Sequence, residues 1–191
     1  TFSAAGTYLL KLTAADGLEE SSDLVEVRVG VSTVPAPAGI AAWWPANSHP
    51  YEIIRGNHDA VLTNRSYLPG RVLHGFAYNG VSDSAKVTGH ADLDLSRDGQ
   101  GITIEFWMQN TSMGGPDYPL FAWNRNGTDD VRASITFNGL KPTWRLRDAN
   151  GVDYDGGAAG QVMTYGAMTH LAFTYSQLTG HSRIYHNGKL I

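Results

Sequence analysis

Carboxylates are the side chains here with most to offer chemically. Glu105 lies in Ile102-Thr-Ile-Glu-Phe-Trp107, where successive side chains alternate between two faces. Retaining hydrolysis of a glycosidic bond needs two carboxyl groups about 5–5.5 Å apart. The same-face neighbours of Glu105 are Thr103 and Trp107, so it stands alone on its strand. Asp92 and Asp94 do alternate, but within His90-Ala-Asp-Leu-Asp-Leu-Ser-Arg-Asp-Gly99, which reads as loop. Catalysis by paired carboxylates is therefore the weaker expectation.

Metal chemistry has two oxygen-rich candidates. Asp148-Ala-Asn-Gly-Val-Asp-Tyr-Asp-Gly156 is superficially like a calcium loop, but Gly151 comes too early for that pattern and no Glu closes it. A hairpin turn at Asn150-Gly151 explains it better. Asn79 and Asp83 form the second candidate, weighed below. The seven His residues show no H-E-x-x-H or H-x-H spacing and no Cys accompanies them, so no zinc site is expected. His170, at the head of a strand, reads as a packed or hydrogen-bonded structural residue. No G-x-S-x-G, G-x-x-x-x-G-K-[ST] or G-x-G-x-x-G occurs, which leaves a serine nucleophile or a phosphate cradle without support. The five Trp residues could stack on sugar rings, although large aromatics in a sandwich are more often core. Trp123, followed by Asn124 and Arg125, sits at a loop and is the chosen ligand contact.

The elements that must position these groups are strands. Charged residues make up only 17% of the 191, below the usual quarter, and Gly is frequent at 22. Runs such as Ile102–Trp107 and Leu171-Ala-Phe-Thr-Tyr175 alternate with period two, and five Asn-Gly dipeptides punctuate the chain beyond residue 78. Expected strands cover Ile40–Trp44, Leu73–Tyr78, Ser84–Thr88, Gly101–Gln109, Tyr118–Trp123, Arg132–Phe137, Thr143–Arg147, His170–Tyr175 and Ser182–His186. No window keeps a helical period. The expected class is all-β, an antiparallel sandwich or jelly roll.

Three segments follow. Residues 1–30 hold two alternating runs around the polar turn Asp16–Ser22, too few strands to bury a face and so a fragment of a small β-sandwich. Residues 31–39, Val-Ser-Thr-Val-Pro-Ala-Pro-Ala-Gly, form a stiff Pro-rich linker. Residues 40–191 form the main sandwich, expected to stop as a further strand begins and thus to be truncated at the C-terminus with an unpaired edge.

Net charge is −4 and no basic run exists, so nothing would hold a polyanion, and nucleic acid is not an expected partner. No stretch is apolar and long enough to enter a bilayer. Absence of Cys removes disulfides and thiolate chemistry without excluding secretion.

Two resemblances refine the picture. Phe2, Gly6, Tyr8, Leu12 and Asp16, before the valine-rich Val25–Val29, resemble the last strands of a PKD-type or Ig-like repeat. Such repeats imply a non-catalytic extracellular spacer or adhesion module. Trp43-Trp44-Pro45, Tyr67–Asp83, Ile102–Trp107 and His170–Tyr175 with Arg183–Leu190 resemble, in order and spacing, the laminin-G-like (concanavalin A-like) jelly roll. Met168 and Ser82 depart from that pattern, where a Trp and the first Asp of a pair are usual. The family implies a candidate calcium site at Asn79 and Asp83, and the competing reading, which weighs more, is a turn that satisfies its own backbone.

The resemblance implies a non-catalytic module of a secreted or cell-surface multidomain protein, covalently linked to further domains and binding a glycan or an extracellular protein. The alternative is a purely structural spacer. A glycan-degrading domain ranks third.

Overall fold

In the computed structural model the described residues are 6–29, 36–94, 101–111, 118–125, 131–160 and 162–191. Turns expected at Asp98-Gly99 and Asn126-Gly127 lie outside them. The chain divides into two compact units, Thr1–Ile40 and Ala41–Ile191.

The first unit is an antiparallel hairpin of β1 (Gly6–Ala15) and β2 (Glu20–Val29). Its corner is built by Asp16, whose Oδ1 accepts the N–H groups of Leu18 and Glu19, each at 2.9 Å. Those two bonds hold the Asp16 carboxyl below its usual range, Glu19 contributing most. Leu9, Leu12, Leu24 and Val25 are all exposed, as two strands alone must leave them.

The second unit opens with an irregular stretch and small two-stranded ribbons: β3 (Val61–Leu62) with β6 (Ala85–Lys86), and β4 (Tyr67–Pro69) with β5 (His74–Phe76). The strand expected over Ile40–Trp44 is absent. Its backbone is claimed elsewhere: Trp43 N–H donates to the Glu52 carboxylate at 3.1 Å, and Trp43 O accepts from Ile53 N–H at 3.0 Å.

Two four-stranded antiparallel sheets follow. One runs β14-β13-β12-β7, from Lys189–Leu190, His181–His186, Met168–Ser176 and Ile102–Gln109. The other runs β11-β10-β9-β8, from Asp153–Gly157, Lys141–Arg147, Val131–Asn138 and Tyr118–Asn124. Ile135, Phe137, Leu171, Phe173, Ile184 and Met163 form one buried cluster, with Ile104, Phe106, Met108 and Trp144 against it. Side chains from both sheets meet in that cluster, which makes the unit a sandwich. On β7 burial alternates without exception, Ile102, Ile104, Phe106 and Met108 turned inward.

The corners follow turn chemistry. Asn187 and Gly188 both have positive φ (48° and 78°) between the paired residues His186 and Lys189, as a tight hairpin corner requires. At Asn138-Gly139 the dipeptide sits one residue early: Asn138 ends β9, paired with Lys141, and Gly139 takes the first corner position at φ 62°. At Asn150-Gly151, Asp148 organises the loop; its Oδ1 accepts from Asn150 and Val152 N–H at 2.8 and 2.9 Å. The candidate calcium loop is thus the hairpin connecting β10 to β11.

Candidate functional site

The outward face of the β8–β11 sheet is polar and open. Register fixes what faces out: Thr136 lies opposite Thr143, Ser134 opposite Arg145, Arg145 opposite Asp155 and Arg147 opposite Asp153. Pro142, Trp144 and Leu146 point the other way. Directly opposed residues on one face are in contact range, so the pairs form. Thr136 and Thr143 share a 2.7 Å hydrogen bond between their hydroxyls. Arg145 Nε donates to Asp155 Oδ1 at 2.7 Å. Arg147 grips Asp153 with two bonds, Nε to Oδ1 at 2.6 Å and a terminal nitrogen to Oδ2 at 2.8 Å.

The Thr136–Thr143 and Arg145–Asp155 pairs border a groove of about 570 Å³, lined also by Ser134, Lys141 and Gly157; Arg147 and Asp153 lie outside it. The size lies within the usual range of small-ligand sites. Gly157 keeps the floor low: a Cβ there would come within 3.0 Å of the Thr143 methyl. Hydrogen bonding from Arg147 leads the causes that hold the Asp153 carboxyl below its usual range. Asp155 leads those that raise the Arg145 guanidinium. Asp153 and Asp155 alternate on one strand, the arrangement sought at Glu105, yet each is locked to an arginine. Asp153, held below its usual range by Arg147, is poorly suited to act as a general acid, which must keep its proton near neutrality.

The opposite outer face carries Glu105, Trp107 and His170. Trp107 is 47% exposed, but Arg71 Cζ lies 5.1 Å from its ring centroid and the His170 ring is tilted 5.3 Å away. Glu105 Oε2 is 3.8 Å from His170 Nε2, and the cross-strand neighbour of Glu105 is Ala172. One ring face of Trp107 is therefore occupied by the protein's own cation.

Trp123, Asn124 and Arg125 lie at the end of β8. Trp123 is half-buried opposite the buried Ala133; Asn124 and Arg125 are exposed. None of the three lines the groove. Asn79 and Asp83 are brought together, with their oxygens engaged locally. Asn79 Oδ1 accepts from the N–H groups of Val81, Ser82 and Asp83. Asp83 Oδ2 accepts from Asn79 N–H at 2.9 Å, and its Oδ1 accepts from the Asn64 amide.

Little in the sequence marks the groove residues. Ser, Thr, Arg and Asp in an alternating run look like any solvent-facing strand surface, and only the register of three strands assembles them. The weak signal was Asp153-Tyr-Asp155 following the alternating Thr143–Arg147.

Two stacked antiparallel sheets with a polar, grooved outer face define a β-sandwich of the lectin-like class. The model of the concanavalin A-like lectin/glucanases superfamily matches residues 79–191, more than half of the chain, and the chain belongs to that superfamily. No curated protein matches it. Among the described residues no helix is long and apolar enough to cross a membrane.

Proposed function

We propose that this protein is a non-catalytic binding module of a secreted or surface protein, and that it takes a neutral oligosaccharide in the groove over β9–β11. The observation that carries this is the Arg145–Asp155 pair beside the Thr136–Thr143 pair, lining an open cleft. Arg145 has further N–H groups besides the Nε that meets Asp155, and Asp155 has further lone pairs to accept. Sugar hydroxyls do both, so they can join such a network without leaving a charge unpaired. A cationic ligand would have to draw Asp155 away from Arg145 first, and Lys141, which also lines the groove, adds a further donor for sugar oxygens. No aromatic platform joins the groove, so a weak affinity is expected, with Kd about 0.1–1 mM. Trp123, Asn124 and Arg125 enter the same proposal as a second contribution at the end of β8. Calcium at Asn79 and Asp83 would require those side chains to release the backbone bonds described above.

Fold-level membership covers binding and cleaving proteins alike, so the site decides. The Arg145 and Arg147 pairs favour binding. An array of neutral and acidic oligosaccharides, probed with the wild type and with Arg145→Ala/Asp155→Ala, tests this. Expected is retention of neutral glycans by the wild type and at least tenfold weaker retention by the double variant. Failure to retain any glycan, or equal retention by the variant, contradicts it. A search for released reducing ends in the same mixtures is expected to find none.

A further inference from the structure

His58, His90 and Asp92 meet away from that groove. His58 is 3% exposed, in the irregular stretch after Trp44, and its carbonyl accepts the Trp44 indole N–H at 2.7 Å. Its Nε2 is buried and has no hydrogen-bond partner. A buried, unpaired imidazole nitrogen is rare in folded proteins and asks for an explanation. Asp92 Oδ2 lies 3.5 Å from His58 Nε2. His90 precedes the short 3-10 turn Ala91–Leu93, in extended conformation. Its Nδ1 accepts the Asp92 N–H at 3.2 Å and lies 3.3 Å from the same Oδ2. As an acceptor, this nitrogen carries a lone pair and not a proton, the form a metal ligand needs once the Asp92 N–H lets go. All three ligand atoms fall within 4.8 Å of one another, a convergence found in this one group among the described residues.

We infer that these three side chains form a site for one zinc-type dication. Two imidazoles and one carboxylate suit a borderline ion such as Zn²⁺, and calcium, which wants six to eight oxygens, is excluded by the donor set. Ligands about 2.0–2.1 Å from a tetrahedral ion stand about 3.3 Å apart. Two of the three edges already measure 3.3 and 3.5 Å. Two groups compete for the site. Arg55 reaches Asp92 Oδ2 at 3.4 Å from an exposed position, and the Asp92 N–H occupies His90 Nδ1. Both must yield for the ion to bind; neither closes off His58 Nε2. The ion would pin residues 58 and 90–92 together across 31 intervening positions, a structural clamp with a fourth vertex open to water or a partner side chain. His58 and His90 are too far apart in sequence to form a spacing motif such as H-x-H or H-E-x-x-H.

The test is titration of the EDTA-treated chain with Co²⁺ and then Zn²⁺, followed by visible absorption and thermal unfolding. His90→Gln and Asp92→Asn lie toward solvent and are the primary variants; His58→Gln is the third. The wild type is expected to take up one equivalent of Co²⁺ with the visible bands of a low-coordinate nitrogen–oxygen site, to lose them to Zn²⁺, and to melt at a higher temperature with Zn²⁺ bound. His90→Gln and Asp92→Asn are expected to bind about 100-fold more weakly or worse and to show no Zn²⁺-dependent shift. Absence of saturable one-equivalent binding overturns the inference. So does equal binding by His90→Gln and Asp92→Asn, which would place the ion on other histidines. If His58→Gln does not fold, the first two variants decide.

Discussion

Four backbone N–H groups, from Trp43, Ile54, Arg55 and Gly56, converge on the Glu52 carboxylate at 2.6–3.1 Å. Glu52 is only 2% exposed. Burial alone would raise its pKa, and it is the largest single influence; the four N–H donors together outweigh it, leaving the carboxyl below its usual 4.5. A folded pKa below the unfolded one stabilises the fold above about pH 4.5, and that contribution is lost as pH falls through the folded value. Glu52→Gln presents an amide N–H₂ to some of these donors and is expected to cost about 2–4 kcal/mol at pH 7. Urea unfolding at pH 7 and pH 3.5 checks this: the gap between wild type and variant should narrow at the lower pH. By contrast the exposed Arg147–Asp153 pair should matter little to stability, because water screens it. Its role is to shape the face, not to hold the fold.

At the scale of elements, Gly101 and Asn187 set where strands begin and end. Gly101 has φ 123°, and a Cβ there would lie 2.1 Å from the Tyr175 carbonyl oxygen. Gly101→Ala must push β7 from β12 at that end, and a loss of at least about 2 kcal/mol is expected in denaturant unfolding. Asn187 accepts from His170 N–H through Oδ1 at 3.0 Å and donates its own N–H to His170 O at 2.9 Å. Its side chain thus ties the β13–β14 corner back to β12. Asn187→Ala loses the first bond and keeps an unfavourable φ, for an expected cost of about 1–2 kcal/mol.

The same elements show what was legible. β7 and β12 were, because their faces are unequal: Ile104, Phe106, Leu171 and Phe173 need a core, and a one-residue slip would expose them all. β11 was missed, since Asp153, Asp155, Gly156 and Gly157 are poor strand formers. Pairing with β10 overrides their propensity, and Gly156 is needed there: a Cβ would meet the Trp144 indole nitrogen at 2.5 Å. Ile40–Trp44 misled in the other direction. Its apolar run suggests a strand, but Glu52, ten or so residues on, binds the backbone in place of a partner strand.

At the scale of the molecule, the core belongs to the sandwich. Leu171 is fully buried between its two sheets, and Leu171→Ala is expected to cost about 2–5 kcal/mol by removing side-chain volume from that cluster. The sandwich itself was readable from alternation and corners; the candidate site on it was not, because its residues are assembled by cross-strand register. One ring face of Trp107 is taken by Arg71, a residue 36 positions away that no local pattern links to it.

The claim on which the functional reading stands is that ligand contacts the β9–β11 face. Backbone amide shifts of the ¹⁵N-labelled chain, followed while the strongest neutral oligosaccharide from the array is added, test that most directly. Saturable shifts at Ser134, Thr136, Thr143, Arg145 and Asp155 are the expected result. Shifts confined to the Trp107 face, or none on either sheet, would contradict it.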